Sequence, residues 1–274
     1  MVNPDSLYQA WAALDPERAP ADGPVAFCGE LGPENLLAAY RSGAYPFPVS
    51  DPLLRDFNEA RWEEQVAEGL ISVFGGGDPY AVAWWSPDPR PVIPVAGVHL
   101  GHRLTGRLRN RLRWSTSLNR AFAQVVEECR TDREPRWLTD ELVDSLTLLH
   151  QDGSALSAEV WEDDELIGGV FGLRIGPVLS LDSMFHRRPD AGKVAVADLA
   201  DRFGQVGGLL LDAQRDSPQT RALGAVPLPR ARYLDLLRTL PESPPLDALP
   251  LPAGRLATSP HGPDRSSRTW PGRP

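Results

Sequence analysis

The stretch Ala158-Glu159-Val160-Trp161-Glu162-Asp163-Asp164-Glu165-Leu166-Ile167-Gly168-Gly169-Val170-Phe171-Gly172 decides the fold. Two apolar runs flank four consecutive acids, and a short polar break between such runs is a hairpin signal. Downstream, Val178 to Phe185 supplies a third strand and Leu209 to Leu211 a further one, while Val194 to Phe203 and Tyr233 to Leu237 return to helical spacing. Upstream, Leu118 to Cys129 and Leu142 to His150 are expected as helices, the second capped by Thr139 with Asp140 and Glu141 in its first turn. An antiparallel meander with helices packed on it is the α+β class.

Nearer the start, Gly32-Pro33-Glu34 opens a helix through Leu36, Leu37 and Tyr40, and Tyr45-Pro46-Phe47-Pro48 follows as an extended aromatic loop. From about 51 to 80, Leu53, Leu54, Phe57, Trp62, Val66 and Leu70 recur among acids at helical intervals, ended by Gly75-Gly76-Gly77-Asp78-Pro79. The expected organisation is a loosely ordered lead-in over 1–24, an N-terminal domain over 25–95 with a helical insertion at about 51–80, and a second domain over 96–240. Beyond 241 the chain is Pro-rich with little periodicity, so 241–274 reads as a largely disordered tail, and 253–274 as disordered throughout.

Composition bounds the function. With 42% hydrophobic and 24% charged residues in 274, the chain is ordinary globular protein. A net charge of -9 gives no global attraction for nucleic acid or anionic membrane, so any polyanion must meet a local patch. Two cysteines, Cys28 and Cys129, are too few for a disulfide framework or a zinc cluster. No basic leader and no long apolar run is present, and a soluble cytoplasmic protein is expected, a monomer with no membrane contact.

The local patch is Arg103, Arg107, Arg109, Arg111 and Arg113, with no acid between Gly101 and Arg113. Such a stripe engages phosphates or is simply a solvated helix face. His99 and His102 have the separation of a metal pair but lack a third ligand, so no metal is expected. Asp182 interrupts an otherwise apolar strand and needs a partner or a function. Asp212 and Gln214 share a face if the chain alternates regularly there, and a carboxylate beside an amide can orient an amine and steer its proton; an acid starting a loop is the plainer alternative. No Gly-x-Ser-x-Gly elbow or activated cysteine supports covalent catalysis.

These residues carry a resemblance. Trp84-Trp85-Ser86-Pro87-Asp88-Pro89-Arg90, Glu159-Val160-Trp161 with Leu166-Ile167-Gly168-Gly169, Asp182-Ser183-Met184-Phe185, and Leu211-Asp212-Ala213-Gln214 with Leu223-Gly224-Ala225 resemble the successive motifs of the leucyl/phenylalanyl-tRNA protein transferase family, in order and spacing. The match runs from about Cys28 to Leu237, interrupted by the insertion, where the family has a short loop. The resemblance implies a small N-terminal domain joined to an acetyltransferase-like (GNAT-like) domain that moves Leu, Phe or Met from aminoacyl-tRNA to an N-terminal Arg or Lys. It implies no cofactor, because the aminoacyl ester is already activated.

By motif, Asp212 and Gln214 fall on the catalytic pair, and Asp182 with Ser183 on the acceptor-binding positions. Val170, Leu179, Met184 and Leu211 fall on the aminoacyl pocket, although burial alone would make them core. Tyr40, Phe47 and Trp137 fall near the terminal adenosine and acceptor, and the arginine stripe and Lys193, the one lysine, on the tRNA-binding surface. The chain also departs from the family. Gly-Glu-Ser-Met-Phe-Ser reads Leu181-Asp182-Ser183-Met184-Phe185-His186, Asp-Cys-Gln reads Asp212-Ala213-Gln214, and Ala-Ser-Lys reads Ala191-Gly192-Lys193. The acceptor acid is one methylene shorter and its glycine neighbour has become bulky. The expectation is therefore an aminoacyltransferase delivering to a small molecule or non-standard amine in a biosynthetic pathway. An ordinary protein transferase and a non-catalytic tRNA- or peptide-binding paralogue are the alternatives.

Overall fold

The computed structural model describes residues 4–131, 136–238 and 244–258. In chain order the elements are α1 (Pro4–Ala13), β1 (Pro24–Phe27), α2 (Pro33–Arg41), β2 (Tyr45–Pro48), α3 (Pro52–Ala67), β3 (Ser72–Val73), β4 (Val82–Trp85) and β5 (Arg90–Pro94). Then follow α4 (Gly101–Asn110), β6 (Trp114–Leu118), α5 (Phe122–Arg130), α6 (Asp140–Gln151), β7 (Ala155–Glu162), β8 (Glu165–Ile175), β9 (Val178–Ser180) and β10 (Ser183–His186). Last come α7 (Ala191–Gln205), β11 (Leu210–Asp212), α8 (Pro218–Ala222), β12 (Val226–Leu228), α9 (Arg230–Arg238) and β13 (Leu251–Pro252). The protein is α+β, as its periodicities require.

The chain forms two compact units that interleave in sequence. The first takes residues up to Arg90 and then Arg130–Asp152 and Pro229–Arg238, whereas a continuous N-terminal domain over 25–95 was expected. Its sheet has the order β2-β4-β1-β3. The lead-in is anchored here: Trp11 on α1 is buried edge-on against Trp84 and Phe74, with centroids 5.0 and 4.9 Å away, and its Nε1 donates to Asn35 Oδ1 at 2.6 Å. A loose segment could not seal an indole, so residues 4–24 are more ordered than their Pro- and Asp-rich composition suggests, and residues 1–3 of the lead-in lie outside the described residues. Arg90, also buried, stacks between the Tyr45 and Tyr233 rings at 4.8 and 4.6 Å.

The expected insertion is helical only in its first half. Asp51 caps α3 by accepting from Leu53 N at 2.9 Å, Trp62 is the buried contact of the helix, and Leu53, Leu54 and Phe57 stay exposed. Residues 72–73 form β3, which pairs in parallel with β1 and so extends the sheet.

The second unit is built on a sheet of order β12-β5-β11-β9-β8-β7-β6-β13, with β10 also paired to β8. The β7–β8 hairpin closes between Glu162 and Glu165, with Asp163 taking φ 54° in the acidic turn. The third strand expected over 178–185 is two strands broken at 181–182: β9 joins β8 to β11, and β10 lies along β8 through Val170↔Met184. At Gly172 the approach is too close for a side chain, since a Cβ there would stand 1.7 Å from Ser180 O. The helix expected from Leu118 begins at Phe122, because Leu118 ends β6 and Asn119 turns the chain at φ 57°. Thr139 caps α6 as its sequence requires, accepting from Leu142 N at 3.3 Å.

α7 lies on this sheet through Val194, Leu199 and Phe203, in one core with Ile93, Val170, Leu179 and Leu211. Sealing each such side chain contributes about 1.5–3 kcal/mol. Within 241–274, the residues 244–258 depart from the expected disorder: β13 pairs with β6, Ala253 is fully buried, and Arg255 reaches the sealed carboxylate of Asp198. Strand pairing and apolar burial override the Pro-rich, aperiodic composition that suggested a free tail; residues 239–243 and 259–274 lie outside the described residues.

Candidate active site

Asp212 is the last residue of β11, in register with Ser180 of β9 and Val92 of β5, and its side chain is fully buried. Regular alternation does not carry it to Gln214. Gln214 sits in the left-handed region at φ 58°, and its backbone N–H donates to Asp212 Oδ1 at 2.9 Å. An Asx turn therefore joins the two, which suits a residue type whose short carboxylate reaches the backbone two positions on.

Asp182 reaches the same place from the break between β9 and β10. Leu181 N donates to Asp212 O at 2.8 Å and Asp182 N to Phe171 O at 3.0 Å, so the backbone is held from both sides. Gln214 Nε2 then donates to Asp182 Oδ1 at 2.6 Å. Asp182 thus stands in a strand break and not within a strand, and Leu181, Asp182, Ser183 and Met184 are all half-buried. A carboxylate, an amide and a second carboxylate in a row form a polar ledge that can hold an amine and receive its proton.

The four apolar candidates come together on neighbouring strands. Met184 is opposite Val170 and Leu211 opposite Leu179. Val170, Leu179 and Leu211 are fully buried in the core that includes α7, while Met184 packs against that core half-buried. Tyr40 on α2 is buried, Phe47 on β2 and Trp137 before α6 are half-buried, and all three belong to the first unit.

The arginine stripe spans α4 and the turn after it. Leu104 and Leu108 face inward, leaving Arg103, Arg109, Arg111 and Arg113 exposed. Arg107 and Lys193 converge on one carboxylate, Asp190, at 3.3 and 2.9 Å, which places the lysine beside the stripe. Arg109 also donates to Ala257 O at 2.9 Å.

Two buried acids were not singled out from sequence as structural groups. Asp198 pairs with Arg202 and Arg255 and accepts from Thr116 Oγ1 at 2.6 Å. Glu159 accepts from Ser117 Oγ at 2.5 Å and Ser157 Oγ at 2.6 Å, and burial pushes its carboxyl above the usual carboxylate range. An acid inside an apolar run, as at 159, is the signal that could have marked it. Among the described residues no group of three or more His, Cys, Asp or Glu is placed to hold a metal, and no helix is long and apolar enough to cross a membrane.

Residues 92–238, which include β11, the strand break and α4, match the family description leucyl/phenylalanyl-tRNA protein transferase. The correspondingly named protein of Proteus mirabilis is 36% identical over 217 residues, 78% of this chain and 81% of that relative. That of Erwinia tasmaniensis is 36% identical over 225 residues, 81% and 85% of the two chains. The chain belongs to the leucyl/phenylalanyl-tRNA protein transferase family. It is an aminoacyltransferase. The small-amine acceptor expected from Asp182 and Leu181 finds no support among these relatives, whose names specify a protein transferase. Among solved structures, a conserved protein of unknown function from Bacteroides thetaiotaomicron superposes at a TM-score of 0.41 with 9% identity, covering 88% of this chain and 95% of that one, a likeness too loose to assign a fold.

Proposed function

We propose that this transferase moves a hydrophobic aminoacyl group, Leu, Phe or Met, from aminoacyl-tRNA to the amino group of a protein beginning with Arg or Lys. The observation that carries this is the hydrogen-bonded row Asp182, Gln214 and Asp212 inside the family-matched segment. The acceptor amine attacks the carbonyl carbon of the aminoacyl ester. An amide C–N bond forms, the ester C–O bond to the ribose breaks, the amine loses a proton towards the Gln214–Asp212 pair, and the leaving ribose oxygen gains one. Asp182 and Ser183 line the acceptor side, and Met184 with Val170, Leu179 and Leu211 takes the apolar side chain. Tyr40, Phe47 and Trp137 provide faces for the terminal adenosine or the acceptor, and stacking a base on one contributes about 1–3 kcal/mol. The exposed arginines and Lys193 meet phosphates of the tRNA. No cofactor or metal enters, and the cytoplasm, where charged tRNA is made, is the location this activity requires.

The test is transfer of labelled Leu or Phe from charged tRNA to an Arg-initiated peptide and, in parallel, to a panel of small amines. Labelled peptide is the expected product. Labelling of small amines alone would return the acceptor to the biosynthetic class, and labelling of nothing would leave a binding paralogue.

A further inference from the structure

The hydrogen bond from Gln214 Nε2 to Asp182 Oδ1 at 2.6 Å fixes more than a contact. The two ends of a glutamine amide are chemically opposite, since the nitrogen only donates and the oxygen only accepts. A carboxylate in its ionised form only accepts, so it settles which end of the amide faces it. With Nε2 turned to Asp182, Oε1 points from the opposite edge of the amide group. Oε1 is the atom of Gln214 that can accept a hydrogen bond from an attacking amine. The backbone N–H of the same residue is bound to Asp212 Oδ1 at 2.9 Å, so main chain and side chain are held by two different carboxylates. Asp182 is itself immobilised, because its backbone N–H donates to Phe171 O at 3.0 Å and the preceding Leu181 N to Asp212 O at 2.8 Å.

We propose that Asp182 is a positioning residue, which orients the Gln214 amide so that its carbonyl oxygen meets the acceptor amine. This rests on Asp212 and Gln214 being the catalytic pair. It separates Asp182 from simple recognition of a cationic acceptor side chain, for which the negative charge would matter and the orientation of Gln214 would not. A bond to an ionised acceptor is about twice as strong as one between neutral groups, enough to hold the rotamer against the amide's alternative flip. Misplacing a catalytic group by about 1 Å can cost about 10²-fold in rate.

The experiment is steady-state transfer from Leu-tRNA or Phe-tRNA to an Arg-initiated peptide, with kcat and peptide KM determined separately for Asp182→Asn, Asp182→Ala, Gln214→Ala, Gln214→Glu and the paired changes. Asp182→Ala should lower kcat about tenfold or more, and Asp182→Asn, which keeps an oxygen for Nε2, should recover most of that loss. Asp182→Ala with Gln214→Ala should be no worse than Gln214→Ala alone. Gln214→Glu sets two carboxylates against each other, and adding Asp182→Asn, whose amide then donates, should restore part of kcat. These last variants are isosteric and keep the test open if Asp182→Ala does not fold. Equal rises in peptide KM for Asp182→Asn and Asp182→Ala with kcat unchanged would overturn the proposal, as would multiplicative losses in the double variant or no rescue of Gln214→Glu. Wild-type kcat for Gln214→Ala would instead remove the catalytic pair on which it stands, while Asp182 effects on KM alone would leave that pair intact.

Discussion

Arg202 Nε lies 2.9 Å from Asp198 Oδ2, one helical turn apart on α7, and neither side chain reaches solvent. Arg255 brings a second guanidinium to the same carboxylate, and Thr116 Oγ1 donates to it at 2.6 Å. Removing the carboxylate strands the buried Arg202, while the half-buried Arg255 keeps Asp201; removing Arg255 leaves Asp198 paired with Arg202. Asp198→Ala is expected to cost about 3–5 kcal/mol in urea unfolding, and Arg255→Ala less, about 1–3 kcal/mol. Arg255→Ala should also expose residues 244–258 to limited proteolysis. Equal costs for the two variants would contradict the arrangement.

Glu159 gives the protein a pH dependence of known sign. Burial raises its folded-state pKa above the unfolded value, so over the interval between the two the folded state holds a proton that the unfolded state has released. Stability from this group is therefore fully present below the unfolded pKa, about 4.3, and is lost as pH rises through the folded one. Glu159→Gln should flatten that part of the profile of unfolding free energy against pH. An unchanged slope would assign it to other groups.

Neutralising Arg103, Arg111 and Arg113 together should weaken tRNA binding and reduce the slope of log K against log salt, by about 0.9 for each lost contact to a duplex region. All three are exposed, so the fold should be indifferent to their loss. Measuring affinity at several salt concentrations decides it: an unchanged slope means the stripe is only solvated.

Asp212→Asn retains the size of a buried side chain and an oxygen for the Gln214 N–H, while removing the charge. Turnover is expected to fall about 10²-fold or more with tRNA affinity almost unmoved. Filter binding beside single-turnover transfer separates the two, and wild-type turnover would place the proton acceptor elsewhere.

Gly172→Ala should fail to build the β8–β9 edge, because the added Cβ would lie 1.7 Å from Ser180 O, which is backbone and cannot swing aside. Loss of soluble protein, or a stability deficit of more than about 3 kcal/mol, is expected. A well-folded variant would show that β9 can shift.

What was legible in the sequence was local. The β7–β8 hairpin and the Thr139 cap are written in a few adjacent residues whose period and turn chemistry need no distant partner. The break at 181–182 was not legible, because it arises where β9 turns to β11 while β10 returns to β8. Trp11 and Arg255 were misjudged for a related reason: each lies in a segment of disordered composition whose order comes from long-range contacts. In the site, regular alternation gave Asp212 and Gln214 a shared strand face that the structure replaces. Their link is an Asx turn with a left-handed glutamine, and the bond that orients the glutamine comes from Asp182, 32 residues away.

The interleaving of the two units has a consequence for the order of events on the ribosome. The first unit lacks Tyr233, and hence one face of the Arg90 sandwich, until the strands β5 to β12 of the second unit have been synthesised. The second unit in turn waits for Arg255, so Asp198 emerges with Arg202 close behind it and gains its second cation 57 residues later. The first unit is complete in sequence at Arg238, ahead of the last segment of the second, and no single cut of the chain releases either one whole.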